Sequence, residues 1–224
     1  MTGKKTVILV AWEDETKTLS DSDKQRLDDN NIEIVYTGIG KINATRVTTD
    51  LCVRNRYQSF DGSIQNECAH IVNVGCAGSH TTDVRTLIKP NTFIQRDMDV
   101  RQFGYKQYRT PEQERWIIGG DEMRLNSKFN YHFFPEGCVS DAVICATGDN
   151  ANGYSEVSEE VPAFDAVDME ASAIADVCAH YGVKFTCFKW ITDKAAEDST
   201  IEELIENNKL LPWTQIIDEI LLLD

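Results

Sequence analysis

Basic residues and histidine are scarce in this 224-residue chain, and patterned cysteine is missing altogether. The four histidines form no ligand pair, and the seven cysteines (52, 68, 76, 138, 145, 178 and 187) include no CxxC, so no metal site is expected. An odd number of cysteines scattered through apolar runs instead predicts reduced thiols in a core, as in the cytoplasm. Only 22 Lys+Arg stand against 37 Asp+Glu, a formal charge of −15. So acidic a surface repels phosphate backbones and anionic lipid, which argues against nucleic acid and membrane as partners. No apolar run is long enough to span a bilayer, and Met1 to Lys5 lead straight into a strand with no h-region of a leader. There is no Walker A loop, no GxGxxG, no repeat and no low-complexity linker. A single domain spanning residues 1–224 is therefore expected.

What is present is an alternation of short apolar strands and helices. Strands are predicted over Thr6–Ala11, Ile32–Thr37, His70–Val74, Thr92–Arg96 and Ala142–Ala146. Helices are predicted within 17–30, from Asn43 to about Tyr57, over Ile201–Leu210 and over Trp213–Leu223. Asp61-Gly62 reads as a turn, and the aromatic-rich 105–138 either as a loop with short elements over a pocket or subunit contact or as ordinary core packing. The alternation predicts an α/β fold with a largely parallel sheet. Acids or small residues follow one strand after another, at Glu13–Glu15, Gly38–Gly40, Gly75–Gly78, Gly148–Asp149 and Asp193. Open α/β sheets bind ligands at such carboxyl ends. Gly and Asp also favour any turn, so this pattern alone leaves a carboxylate site and plain turns both open.

The most informative stretch is Val167 to Lys194. Ile174, Val177, Cys178 and Tyr181 recur at helical spacing, and Glu170 starts the same stripe. That places its carboxylate inward at a helix N-terminus, where the backbone dipole favours an anion. Gly182 stops the helix, and a buried strand through Phe185–Phe188 then delivers Asp193 at its end.

Val167-Asp168-Met169-Glu170-Ala171-Ser172-Ala173-Ile174, with Ile191-Thr192-Asp193-Lys194-Ala195, resembles the nucleoside phosphorylase/nucleosidase superfamily. Within it the chain is most similar to the 5′-methylthioadenosine/S-adenosylhomocysteine nucleosidases. Further matching segments fall in order: Ala11–Glu15, Gly38–Ala44, Asn73–Gly78, Asp97–Tyr105 and Thr147–Asp149. The resemblance implies a three-layer α/β/α fold with a twisted, barrel-like mixed central sheet, usually a homodimer. It implies a cytoplasmic enzyme of methionine salvage that hydrolyses a small-molecule purine nucleoside with no cofactor and no metal. Carried over residue by residue, Asp193 would help protonate the purine at N7, Glu15 would activate water, and Met169 with Glu170 would bind the ribose. Cys76, Ala77, Gly78, Asn152 and Thr192 would line the substrate. Phosphorylases of the superfamily hold phosphate with arginines, one of them at the position of Asn73, so hydrolysis is expected here.

The chain also departs from that pattern. Asn150, Ala151 and Asn152 stand where an aromatic and an apolar residue hold adenine, which trades stacking for amide donors and acceptors and predicts tolerance of 6-oxo purines. Lys189 replaces an arginine, and Thr192 and Cys76 replace serines. Trp12 and Trp190 are bulkier than their counterparts, Trp12 expected at the pocket and Trp190 in the core.

Overall fold

The computed structural model describes residues 5–54, 56–58, 64–66, 68–105, 108, 143–150, 164–195 and 201–223. β1 (Lys5–Val10), β2 (Ile32–Tyr36), β5 (Cys68–Gly78), β6 (Leu87–Ile88), β7 (Thr92–Gln95), β8 (Ile144–Thr147), β9 (Ala166–Asp168) and β10 (Lys184–Asp193) form one eight-stranded sheet. β3 (Arg56–Gln58) and β4 (Ile64–Asn66) pair as a separate hairpin. The helices are α1 (Asp21–Asp29), α2 (Lys41–Arg54), α3 (Ala171–Tyr181), α4 (Ile201–Asn208) and α5 (Trp213–Leu221).

The three layers follow from the two-residue period of the strands. On β1, Ile8 and Val10 face α1 and α5, packing with Leu27, Trp213, Ile216 and Ile220. The alternate residues Val7 and Leu9 face α2 and α3, packing with Ala44, Cys52, Ile174 and Cys178. Both faces are covered, which is why the strands read as continuous apolar runs. Each wholly buried aliphatic, such as Ile8 or Ile174, contributes about 1.5–3 kcal/mol.

β5 is the hub. Its first half pairs in parallel with β1, and most of its length pairs in parallel with β10, from Lys184↔His70 to Asp193↔Gly78. Where β1 ends, β9 takes over in antiparallel sense at Gly78↔Val167. β6 also runs antiparallel, against β10, so the sheet is mixed as the resemblance implied.

Several boundaries differ from the sequence reading. Gly75–Gly78 lies within β5, because the adjacent β10 supplies ladder partners that small residues accept. β6 and β9 have two and three residues, too few for a period to show, and the β3–β4 hairpin has no apolar alternation. α2 begins at Lys41 and ends at Arg54, short of Tyr57. The expected turn at Asp61-Gly62 and nearly all of 105–138 lie outside the described residues. Among the described residues no helix is long and apolar enough to cross a membrane.

Candidate active site

The carboxyl ends of β1, β5, β9 and β10 surround a cavity of about 230 Å³. Glu15, Glu170, Asp193 and Asp168 all line it. A larger depression of about 370 Å³ beside Lys5, Lys24 and Glu33 gathers no such group of buried acids. The buried acids therefore gather at the smaller one.

Glu15 sits in a single 3-10 turn, Glu13–Thr16, directly after β1. Its Oε1 accepts from the Cys76 amide at 2.8 Å and its Oε2 from the Trp12 amide at 3.1 Å. From the opposite layer, the Trp213 indole donates to the Glu15 carbonyl at 2.8 Å, which pins the turn to α5. Burial raises the Glu15 carboxyl above its ordinary value, against the Cys76 amide and the nearby Lys189 ammonium. A raised carboxyl is, once ionised, a stronger base toward water.

Glu170 is the N-cap residue of α3, with Ile174, Val177 and Cys178 buried below it and Tyr181 partly so. Its Oε1 accepts from the Gly40 amide at 2.7 Å. Burial and the neighbouring Asp168 charge push it up to about 7, with Lys189 and the Gly40 amide acting the other way.

Between these acids lies a pair that the sequence reading gave no role. Lys189, 1 % exposed, places Nζ 2.7 Å from Asp168 Oδ2. Asp168 also accepts from the Thr147 hydroxyl at 2.5 Å and the Ala171 amide at 2.8 Å. Burial alone would raise Asp168, but the Lys189 ammonium and these donors hold it below the ordinary carboxylate range. Burial alone would likewise depress Lys189, yet Asp168, two nearby thiols and Glu170 lift it well above the usual lysine value. One buried ammonium thus serves three carboxylates. The signal was available in principle, since a lysine between Phe188 and Trp190 in a buried strand requires an anionic partner.

Asp193 is held by short-range contacts. Oδ1 accepts from the Thr192 hydroxyl at 2.9 Å and Oδ2 from the Ala195 amide at 3.0 Å. A Cβ added to Gly78 would lie 2.7 Å from Asp193 Oδ2, and one on Gly75 would lie 2.9 Å from Glu15 Oε1. The glycines expected to permit close approach therefore admit the acids themselves.

Met169, Cys76, Ala77, Gly78 and Thr192 all line the cavity. The Cys76 thiol donates to Asn208 Oδ1 at 3.0 Å, and burial with the Glu15 charge raises it well above its ordinary value. Trp12 lines the cavity and is 42 % exposed, whereas Trp190 is buried and donates to the Asn207 carbonyl at 2.9 Å. Asn73 is buried in β5, donating to the Leu9 carbonyl at 3.2 Å.

The expected base wall is only partly described: Asn150 lines the cavity, while Ala151 and Asn152 lie outside the described residues. Asn150 Oδ1 accepts from Arg96 at 2.6 Å, and the Asn150 carbonyl accepts from the same guanidinium. Both its oxygens therefore face Arg96. Arg96, buried in the cavity wall, had been read only as the end of a strand.

The curated 5′-methylthioadenosine/S-adenosylhomocysteine nucleosidase of Tolumonas auensis is 29 % identical over 185 residues, 79 % of this chain and 75 % of that protein. The crystal structure of the nucleosidase of that name from Neisseria meningitidis, in complex with methylthio-immucillin-A, has a TM-score of 0.66 at 20 % identity, covering 97 % of this chain and 98 % of that one. The futalosine hydrolase of Helicobacter pylori has a TM-score of 0.66 at 19 % identity, with coverage of 97 % and 98 %. These two likenesses show the nucleoside phosphorylase-like fold. The sequence profile of the phosphorylase superfamily matches residues 24–211, from α1 through the carboxyl ends of β5, β9 and β10. With acids gathered at those strand ends and the fold shared with nucleosidases, this chain belongs to the phosphorylase superfamily.

Proposed function

We propose that the chain is a nucleosidase that hydrolyses the N-glycosidic bond of a purine nucleoside, with a 5′-thioether adenosine such as 5′-methylthioadenosine or S-adenosylhomocysteine as its substrate class. The observation that carries this reading is the convergence of Glu15, Glu170 and Asp193 on one cavity. Cleaving the bond builds positive charge on the sugar and negative charge on the departing base. Asp193 protonates the leaving base, taking its orientation from Thr192 and Ala195. Glu170 binds the ribose hydroxyls beside Met169, and its hydrogen bond to the sugar strengthens as the oxocarbenium develops. Glu15 takes the proton of the attacking water.

Water is the acceptor in this reading. The Asn73 side chain is spent on a strand carbonyl, and three acids around one ammonium disfavour a phosphate dianion. The reaction needs no metal and no cofactor. The chain acts as a single domain and as a homodimer, a second copy covering the exposed Ile39 at the cavity and Ile42 one turn beyond it. The Cys76, Cys145, Cys178 and Cys187 thiols are free, which supports a reducing compartment such as the cytoplasm.

A second reading keeps the reaction and changes the base or the 5′ group. It is favoured by the Arg96 guanidinium in the cavity wall, a donor-only group suited to a carbonyl or carboxylate on the ligand. Release of free base from a panel of adenine and hypoxanthine nucleosides, with and without 5′-thioethers and phosphate, tests both. Adenine with the ribose that keeps its 5′-thioether is expected from the thioethers, independent of phosphate. The corresponding sugar 1-phosphate as the main product would overturn hydrolysis.

A further inference from the structure

Three loops matching the superfamily pattern carry none of the proposed chemistry: Gly38–Lys41 after β2, Asp97 after β7 and Asp149 after β8. They meet in a closed ring. The Lys41 amide donates to Asp149 Oδ1 at 2.9 Å, the Asp149 amide donates to Asp97 Oδ2 at 2.9 Å, and Lys41 Nζ lies 2.6 Å from Asp97 Oδ1. Lys41 Nζ is also 3.7 Å from Asp149 Oδ2. The sheet path runs β2-β1-β5-β9-β8-β7, so β2 and β7 are its opposite ends. The ring therefore joins the two ends of a curled sheet across the carboxyl ends of its strands, where the cavity opens.

The residue before Lys41 is Gly40, whose amide is 2.7 Å from Glu170 Oε1. Gly40 adopts φ +93°, and a Cβ there would sit 3.2 Å from Asp149 Oδ1. The peptide units on either side of the Gly40 Cα thus face two acids, Glu170 through the Gly40 amide and Asp149 through the Lys41 amide. Resting on the nucleosidase reading of the cavity, we infer that Lys41, Asp97 and Asp149 are positioning residues that hold the Gly40 amide against Glu170 and so fix the acid assigned to the ribose.

The energetics separate this role from a merely structural one. Partly exposed ion pairs contribute little to global stability, whereas misplacing a reacting group by about 1 Å can cost about 100-fold in rate. Lys41→Met and Asp97→Asn should therefore leave the melting temperature within about 3 °C of the parent. Both should lower kcat for base release at saturating nucleoside at least tenfold, and Lys41→Arg should recover most of it. In the same variants, hydrogen exchange at the Gly40 amide should speed at least tenfold, while the amides of Ala175–Cys178 in α3 stay protected.

Gly40 exchange within twofold of the parent in both variants would overturn the inference, as would a kcat loss matched by an equal loss of folded protein. The exchange measurement needs no turnover. A parent that releases no base from any nucleoside would sink the functional reading, and Gly40 exchange would still decide whether the ring holds that amide.

Discussion

The two ends of the cavity are built by opposite means. At one end Glu15, after β1, and Asp168 with Glu170, where β9 passes into α3, lie in the field of one wholly buried ammonium, Lys189. At the other, Asp193 is held by Thr192 beside it and by Ala195 two residues on. The first arrangement needs β10 in place before the ammonium can reach any of these carboxylates. The second forms with the strand that carries it. The ion pair at the Lys189 end is therefore tied to folding, whereas the hold on Asp193 is local.

Removing the cation should give the largest effect. Lys189→Met leaves Asp168 buried without its counter-ion, and breaking such a pair from one side costs about 3–5 kcal/mol. Urea denaturation should show that loss as a lower midpoint at unchanged slope, and adding Asp168→Asn should recover much of it. Asp193→Asn is the contrasting case. It should keep the parent midpoint while base release falls about 100-fold or more, within the range of general acid–base groups. If Lys189→Met were as stable as the parent, or Asp193→Asn markedly less stable, the division between the two ends would fail.

That division also decides how much was legible in the sequence. Glu170 could be placed because Ile174, Val177 and Cys178 repeat its face of one helix, and Asp193 because an apolar strand ends on it. Both are local patterns. Asp168 and Lys189 lie on strands separated by α3, and no spacing rule links them. The same holds for Glu15, whose partner is a backbone amide at Cys76, and for Arg96, whose partner is Asn150. The layers were readable from strand periods, but the central place of β5 was not, since it depends on β9 replacing β1 at the Gly78 tip.

A smaller effect is expected from pH. Glu170 is raised from 4.5 to about 7, so the folded state binds its proton more tightly than the unfolded chain does. This contribution to stability is complete below about pH 4.5 and is lost as pH rises to about 7. Glu15 is raised in the same sense. Asp168 is lowered from 3.8, and its contribution is lost only as pH falls below that range. Between pH 5 and 8 the parent melting temperature should therefore decline by a few degrees, at about 2–4 °C per kcal/mol for a chain of this size. Glu170→Gln should show a flatter profile and exceed the parent at pH 8. Parallel profiles would mean that Glu170 does not carry the titration.

The smallest effect separates two neighbours on β5. Glu15 is held by the backbone amide of Cys76, and that amide survives any substitution except proline. The thiol itself points to Asn208, and burial keeps it protonated at neutral pH. A serine hydroxyl can make the same donation to Asn208. Cys76→Ser should therefore retain activity within about threefold, a change of about 0.7 kcal/mol or less in the barrier. Gly75→Ala should do more, because its Cβ would lie 2.9 Å from Glu15 Oε1, too close for a contact to persist, and the carboxylate must move. Turnover measured on both variants at saturating nucleoside ranks the two positions. If Cys76→Ser lost 100-fold while Gly75→Ala stayed near the parent, the thiol would belong to the chemistry and the amide's hold on Glu15 would be incidental.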